Sequence, residues 1–283
     1  MTTFGVTCFV TEWTMNLAEL AQALEQRGFA ALGLPEHTHI PTSRKTPYLI
    51  GGGDLPREYW HTYDMVVSAT AALAATSSLD VGPAICLVTE HHPLNLAKIA
   101  ASLDRFSGGR FFLGIGAGWN AEEMEHHGVP FKDRWPVTRE RVLAMRQCWT
   151  EEEAEFHGEF VDFDQVWSYP KPVTPGGPPV LMGAGSRWTW DRIVEYCDGW
   201  MPIDGFNSLE DGLEELRAAC DRADRDFSEM RIEPLLYPPT EERMTQVLNL
   251  GADRIFLGLP SEEPAQQEAI LDEFAEVVER VSS

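Results

Sequence analysis

The sequence predicts an α/β protein whose parallel strands close into a (β/α)8 barrel, a TIM barrel carrying insertion loops. Three observations lead there. Eight short apolar runs are spaced along the chain. Each is followed by a stretch with the 3.6-residue apolar period of a helix. No repeat, low-complexity segment or linker divides residues 1–283, which read as a single domain. Strands that alternate with helices build parallel sheets, and eight such units close a barrel. A doubly wound open sheet is the alternative.

The elements follow in order. "FGVTCFV" (4–10) is the first strand. In the helix after it, Leu17, Leu20, Ala21 and Leu24 share one face, Asn16 and Glu19 form a capping box, and Gly28 ends the element. "FAALGL" (29–34) is the second strand, followed by a helix over 64–76. "LDVGPAICLV" (79–88) is the third strand, and a helix over 95–106 closes at Ser107-Gly108-Gly109. "RFFLGIG" (110–116) is the fourth strand, with a helix over 137–149. Strands five to eight fall at 178–185, 199–204, 231–237 and 252–259. Their helices are "RWTWDRIVEYC", 208–222, 240–250 and 264–281, the last burying Ile270, Phe274, Val277 and Val281. Two irregular stretches, 38–60 and 150–177, are rich in Gly, Pro and polar residues and read as rim loops.

Charge and composition bound the function. With 22 basic against 45 acidic residues, the net charge is −23. That field repels nucleic acid and anionic membranes, leaving a small-molecule substrate as the expected partner. No apolar run approaches the roughly 20 residues of a membrane span. "MTTFGVTCFVTEW" lacks the pattern of a secretory signal. Five scattered cysteines form no C-x-x-C pair. Both features suit a reducing cytoplasm.

In a barrel, the loops after the strands build the active site. Glu12 and Trp13 follow strand one, and Glu36, His37, Thr38 and His39 follow strand two. Thr89, Glu90, His91 and His92 follow strand three. Gly116, Gly118, Trp119 and Asn120 end strand four, and Asp204 follows strand six. After strand five, Gly183, Ala184, Gly185, Ser186 and Arg187 make a small-residue turn ahead of a helix expected near Ser186. Such a turn can present backbone N–H groups to an anion, and Arg187 can add a charge-assisted contact. Glycines that only permit a tight turn would read the same way. The pair His37-x-His39 suggests metal ligands, but all eight histidines lie at or before position 157. Strands five to eight therefore offer no imidazole, and no metal is assigned. There is no G-x-S-x-G elbow, and the glycines at 114, 116 and 118 are not followed by a dinucleotide-type helix. Glu122 and Glu123 suit the first turn of the helix after Asn120.

The block "HPLNLAKIAASLDRFSGGRFFLGIGAGWNAEEMEHHGVPFKDR" (92–134) resembles the central signature of the luciferase-like flavin and deazaflavin oxidoreductases. "YPKPVTPGGPPVLMGAGS" and "DGWMP" extend the likeness, which covers most of the chain. The resemblance implies a (β/α)8 barrel that binds coenzyme F420 or, alternatively, FMN. "GAGWNAEE" is more similar to the F420-dependent branch. It also implies a non-proline cis peptide at Ala84–Ile85 behind the coenzyme ring. His37 takes the position of a histidine near the reactive ring edge. "GAGWN" (116–120) would flank the ring, and "GAGSR" (183–187) would bind phosphate. Glu12, Trp13 and His92 are placed in the substrate pocket. Some sugar-phosphate-oxidising relatives carry a glutamate where Trp119 stands, so their substrate and protonation scheme do not transfer. The expected activity is hydride transfer between coenzyme F420 and a small organic substrate, with His37 as proton donor or acceptor and Glu12, Glu36 and His92 in reserve. An FMN-dependent monooxygenase, a metal-dependent hydrolase barrel and a non-enzymatic cofactor-binding protein are the alternatives. Relatives are often homodimers.

Overall fold

The computed structural model describes residues 2–48, 54–206 and 208–282. Residues 49–53 of the expected 38–60 loop lie outside the described residues. In chain order the elements are β1 (Thr3–Thr7), α1 (Leu17–Gln26), β2 (Ala31–Leu34), α2 (Glu58–His61), α3 (Met65–Ala75), β3 (Asp80–Pro83), β4 (Cys86–Leu87), α4 (Pro93–Ser107) and β5 (Leu113–Gly116). Then come α5 (Ala121–His126), α6 (Arg134–Thr150), β6 (Ala154–His157), β7 (Asp162–Val166), β8 (Val180–Met182), α7 (Thr189–Tyr196), β9 (Gly199–Trp200) and α8 (Leu209–Arg222). β10 (Arg231–Ile232), β11 (Leu235–Leu236), α9 (Glu241–Asn249), β12 (Arg254–Gly258) and α10 (Pro264–Val281) complete the chain.

The strand order makes a barrel. One parallel sheet runs β11-β12-β1-β2-β3 and the other β10-β9-β8-β5-β4. The third barrel strand is split into β3, which pairs with β2, and β4, which pairs with β5. The seventh is split into β10 beside β9 and β11 beside β12. Parallel bridges Val81–Phe111 and Ile203–Leu235 join the two sheets at both seams. The ring order is that of a (β/α)8 barrel.

The helix ends follow local chemistry. Asn16 accepts the Glu19 N–H at 3.0 Å and caps α1. Asp64 caps α3 through the N–H groups of Val66 and Val67. Gly108 closes α4 at φ 72°, a left-handed conformation that favours glycine. Inside the ring, Phe112, Leu181, Met201, Leu235 and Phe256 fill the lumen. The larger apolar core lies between strands and helices. α10 buries Gln267 and Leu271 fully, with Ile270, Phe274 and Val277 only partly covered, so its inward stripe is centred nearer Leu271 than expected.

The stretch 150–177 is not an irregular rim loop. It holds the antiparallel hairpin β6–β7, fastened to α6 by Glu140, whose carboxylate accepts the N–H groups of Glu159, Phe160 and Val161. Because it follows a helix, it enters β8 from the end opposite the active-site loops. Among the described residues, no helix is long and apolar enough to cross a membrane.

Candidate active site

The loops that leave the strand C-termini enclose two adjoining cavities of about 310 and about 290 Å³. Tyr48, Ile85, Leu87, Trp119 and Ile203 line both, so they form one cleft with a partition. His37, Glu36, Tyr59, Tyr237 and Ala84 line the first. Gly116, Gly118, Gly183, Ala184, Gly185 and Trp135 line the second.

The peptide Ala84–Ile85 is cis, at the break between β3 and β4. Ile85 packs tightly under the glycines. A Cβ on Gly183 would lie 2.5 Å from Ile85 Cδ1, and one on Gly116 would lie 3.0 Å from Ile85 Cγ2. Gly118 has φ 82°, and its Cβ would press on Met124. Close approach to Ile85 therefore accounts for part of the glycine run, and its remaining face opens on the second cavity.

His37 follows β2 through Pro35 and Glu36. Its side chain is 5% exposed, against 1% for Glu123. His37 Nδ1 lies 3.0 and 2.9 Å from the two Glu123 oxygens. The Trp119 indole N–H donates to His37 Nε2 at 3.4 Å. This network assigns the ring proton to Nδ1 and leaves Nε2 as an acceptor. Glu123 is thus a buried partner of His37, not only a first-turn carboxylate of α5. Its neighbour Glu122 accepts from the Lys45 N–H and from Thr46 Oγ1, the latter at 2.6 Å, tying the 38–48 loop to α5. These bonds hold the Glu122 carboxyl down at about 2, the Thr46 hydroxyl contributing most.

Behind the cleft, Glu36 Oε2 accepts the Leu87 N–H at 2.7 Å, and Glu36 Oε1 lies 2.7 Å from His91 Nε2. Cys86 completes a close group with them. Burial, reinforced by Glu36, pushes the Cys86 thiol well up. Both Glu36 oxygens are already engaged, one by the Leu87 N–H and one by His91.

Several expected residues stand elsewhere. Glu12 is 55% exposed and bonds His61 at 2.7 Å on the surface. The Trp13 indole donates to Ser261 O at 2.8 Å beneath the Arg57 guanidinium. His92 is exposed at the start of α4. These three line neither cavity. Asn120 is buried at the start of α5, its Nδ2 3.5 Å from Glu123 Oε2, and supports the pair from behind. α7 begins at Thr189, later than expected. Ser186 and Arg187 are exposed, and the Ser186 N–H is already taken by Thr189 Oγ1 at 2.9 Å. Arg187 lies over the Trp188 ring at 4.3 Å. Tyr48, Tyr59, Trp135 and Tyr237 were not anticipated. The two tyrosines at 48 and 59 come from the 38–60 loop, whose aromatic residues were the available signal.

A family model described as luciferase-like monooxygenase matches residues 11–280. An uncharacterized protein of Mycobacterium tuberculosis (strain ATCC 25618 / H37Rv) is 34% identical over 274 residues, 96% of this chain and 97% of that one. The FMNH(2)-dependent dimethylsulfone monooxygenase of Pseudomonas putida is 32% identical over 151 residues, 52% of this chain and 41% of that protein. The solved structure of an F420-dependent secondary alcohol dehydrogenase, in complex with an F420–acetone adduct, superposes with a TM-score of 0.77 at 18% identity, covering 99% of both chains. The chain belongs to the luciferase-like monooxygenase family.

Proposed function

We propose that the protein transfers a hydride between coenzyme F420 and a small organic substrate. The observation that carries this reading is the His37–Glu123 pair, opening on an apolar cavity beside a glycine-walled one. The cleft fits a flat ring: Ile85 and Leu87 give an apolar floor, and a side chain at Gly183 or Gly116 would collide with that floor. Its two cavities are each near the lower end of small-molecule sites. When bound, the deazaflavin would supply the carbon that gives or takes the hydride.

The chain's own residues do the rest. Ile85 and Leu87 support the ring, and Gly116, Gly118, Gly183, Ala184 and Gly185 let backbone come close to it. Ser186 and Arg187 meet a phosphate at the rim. Trp119, Tyr48 and Tyr59 exclude water from the reacting edge. His37 Nε2, once the long Trp119 N–H bond gives way, takes the proton of a substrate hydroxyl, while the Glu123 carboxylate holds the Nδ1 proton and stabilises the imidazolium that forms.

FMN-dependent oxygenation is the second reading, favoured by the Pseudomonas putida relative. Titrating the coenzyme-free protein with F420 and with FMN, followed by cofactor fluorescence, separates the two. F420 is expected to bind at least about tenfold more tightly, about 1.4 kcal/mol. The reverse order overturns the proposal in favour of FMN. His37→Ala is expected to lower kcat by about 10²–10⁴ with coenzyme affinity little changed.

A further inference from the structure

Beneath His37 a file of ionisable groups runs from the cleft to the surface. Glu123, which holds His37 Nδ1, lies near enough to Glu90 for its charge to act on that carboxyl. The Thr38 hydroxyl donates to Glu90 Oε2 at 3.1 Å, and His127 Nε2 lies 3.5 Å from the same oxygen. Thr38 Oγ1 is 2.8 Å from His127 Nε2 and 3.0 Å from His39 Nδ1. His39 Nε2 is 2.8 Å from Nδ1 of the exposed His126. The Glu90 side chain is only 2% exposed, against 27% for His127. The file therefore begins in a dry site and ends in water.

Three carboxyls meet here. Glu36 and Glu123 both lie near enough for their charges to act on Glu90, and His91 bonds Glu36. No lysine or arginine bonds to any of the three among the described residues. Burial, with the charges of Glu123 and Glu36, raises the Glu90 carboxyl well above the usual range, so it carries a proton at neutral pH. A wall alone would be built more stably from apolar side chains.

We propose that Glu90 is a positioning acid of this site, releasing its proton to solvent through Thr38 and His127 whenever His37 takes one. The inference rests on the reading of His37 as the proton acceptor. The step starts with His37 Nε2 free of a proton and Glu90 holding one. When a proton bonds to His37 Nε2, the ring becomes an imidazolium. The Glu90 O–H bond then breaks, and its proton passes to His127 Nε2, directly or by rotation of the Thr38 hydroxyl, and on to water. His37 has gained one positive charge and Glu90 one negative. The net charge of the buried cluster is unchanged, which avoids the large penalty of creating a lone charge away from water. The reverse transfer restores the resting state.

The test uses the coenzyme-free protein with nitrogen-15-labelled histidine. In Glu90→Gln the His37 ring is expected to protonate about one pH unit or more lower than in the wild type, and Glu90→Asp is expected to recover part of the difference. An unchanged midpoint overturns the proposal. Should Glu90→Gln fold poorly, Thr38→Val and His127→Gln alter the groups that receive its proton and leave Glu90 in place. In both, the infrared band of the neutral Glu90 carboxyl is expected to shift about tenfold more slowly after transfer into D2O, and an unchanged rate removes this exit. Neither readout needs a coenzyme, so failure of F420 to bind would be seen separately.

Discussion

Ile85 and Gly183 show at single-residue scale how the cleft is made. Ile85 Cδ1 also lies 3.1 Å from the Cβ position of Gly114, so one side chain constrains glycines on two neighbouring strands. Gly183→Ala is expected to destabilise the fold by about 1–3 kcal/mol through overpacking. In the double variant with Ile85→Ala, the combined loss should be smaller than the sum of the single losses, because the residues touch. Urea unfolding of all four proteins checks this, and strict additivity would contradict the packing. Glu90 gives a second residue-scale expectation. Its carboxyl is held above the ordinary range, so the native state keeps a proton that the unfolded chain loses above roughly pH 4. Stability contributed at low pH is therefore lost as pH rises toward the folded-state value. Glu90→Gln removes that loss, and its urea midpoint relative to wild type should rise between pH 5 and pH 8. The glycines were legible in the sequence and Ile85 through the resemblance, while the contact between them was not, because it crosses three strands. Glu123 stands in the first turn of α5 as expected, but its bond to His37 was not legible for a similar reason: a first-turn carboxylate satisfies local rules, and only the fold brings His37 from a distant loop to meet it.

At the scale of elements, strand and helix positions followed from periodicity and caps, since apolar spacing and Asn16 or Gly108 act locally. The hairpin β6–β7 did not, because its burial pattern is mostly exposed and offers no clean alternation. Its attachment is concentrated in Glu140. Glu140→Ala is expected to lower the melting temperature by about 2–4 °C for each kcal/mol lost. Coenzyme affinity should be unchanged, since none of residues 151–177 lines the cleft. A large loss of affinity in that variant would mean that the hairpin reaches the site. The turn after β8 is the converse case. Its composition was read correctly as small, yet α7 begins only at Thr189, after a turn in which the Thr189 N–H donates to Ser186 O and the Ser186 N–H to Thr189 Oγ1. Arg187→Ala should reduce coenzyme affinity by about 1–3 kcal/mol if the phosphate sits there, as measured by the same titration.

For the molecule as a whole, the ring closes unevenly. β1 and β12 are in register over five residues, whereas the seams at Val81–Phe111 and Ile203–Leu235 are single bridges. The two sheets are thus joined along two lines of short pairing. Ile203 and Leu235, on one of these lines, face the first cavity, and the cis peptide beside the other forms the floor of the cleft. A ligand filling the cleft would touch both sheets at both lines, through Ile203 and Leu235 at one and Ile85 and Gly116 at the other. Ligand binding would then brace the barrel across both lines at once.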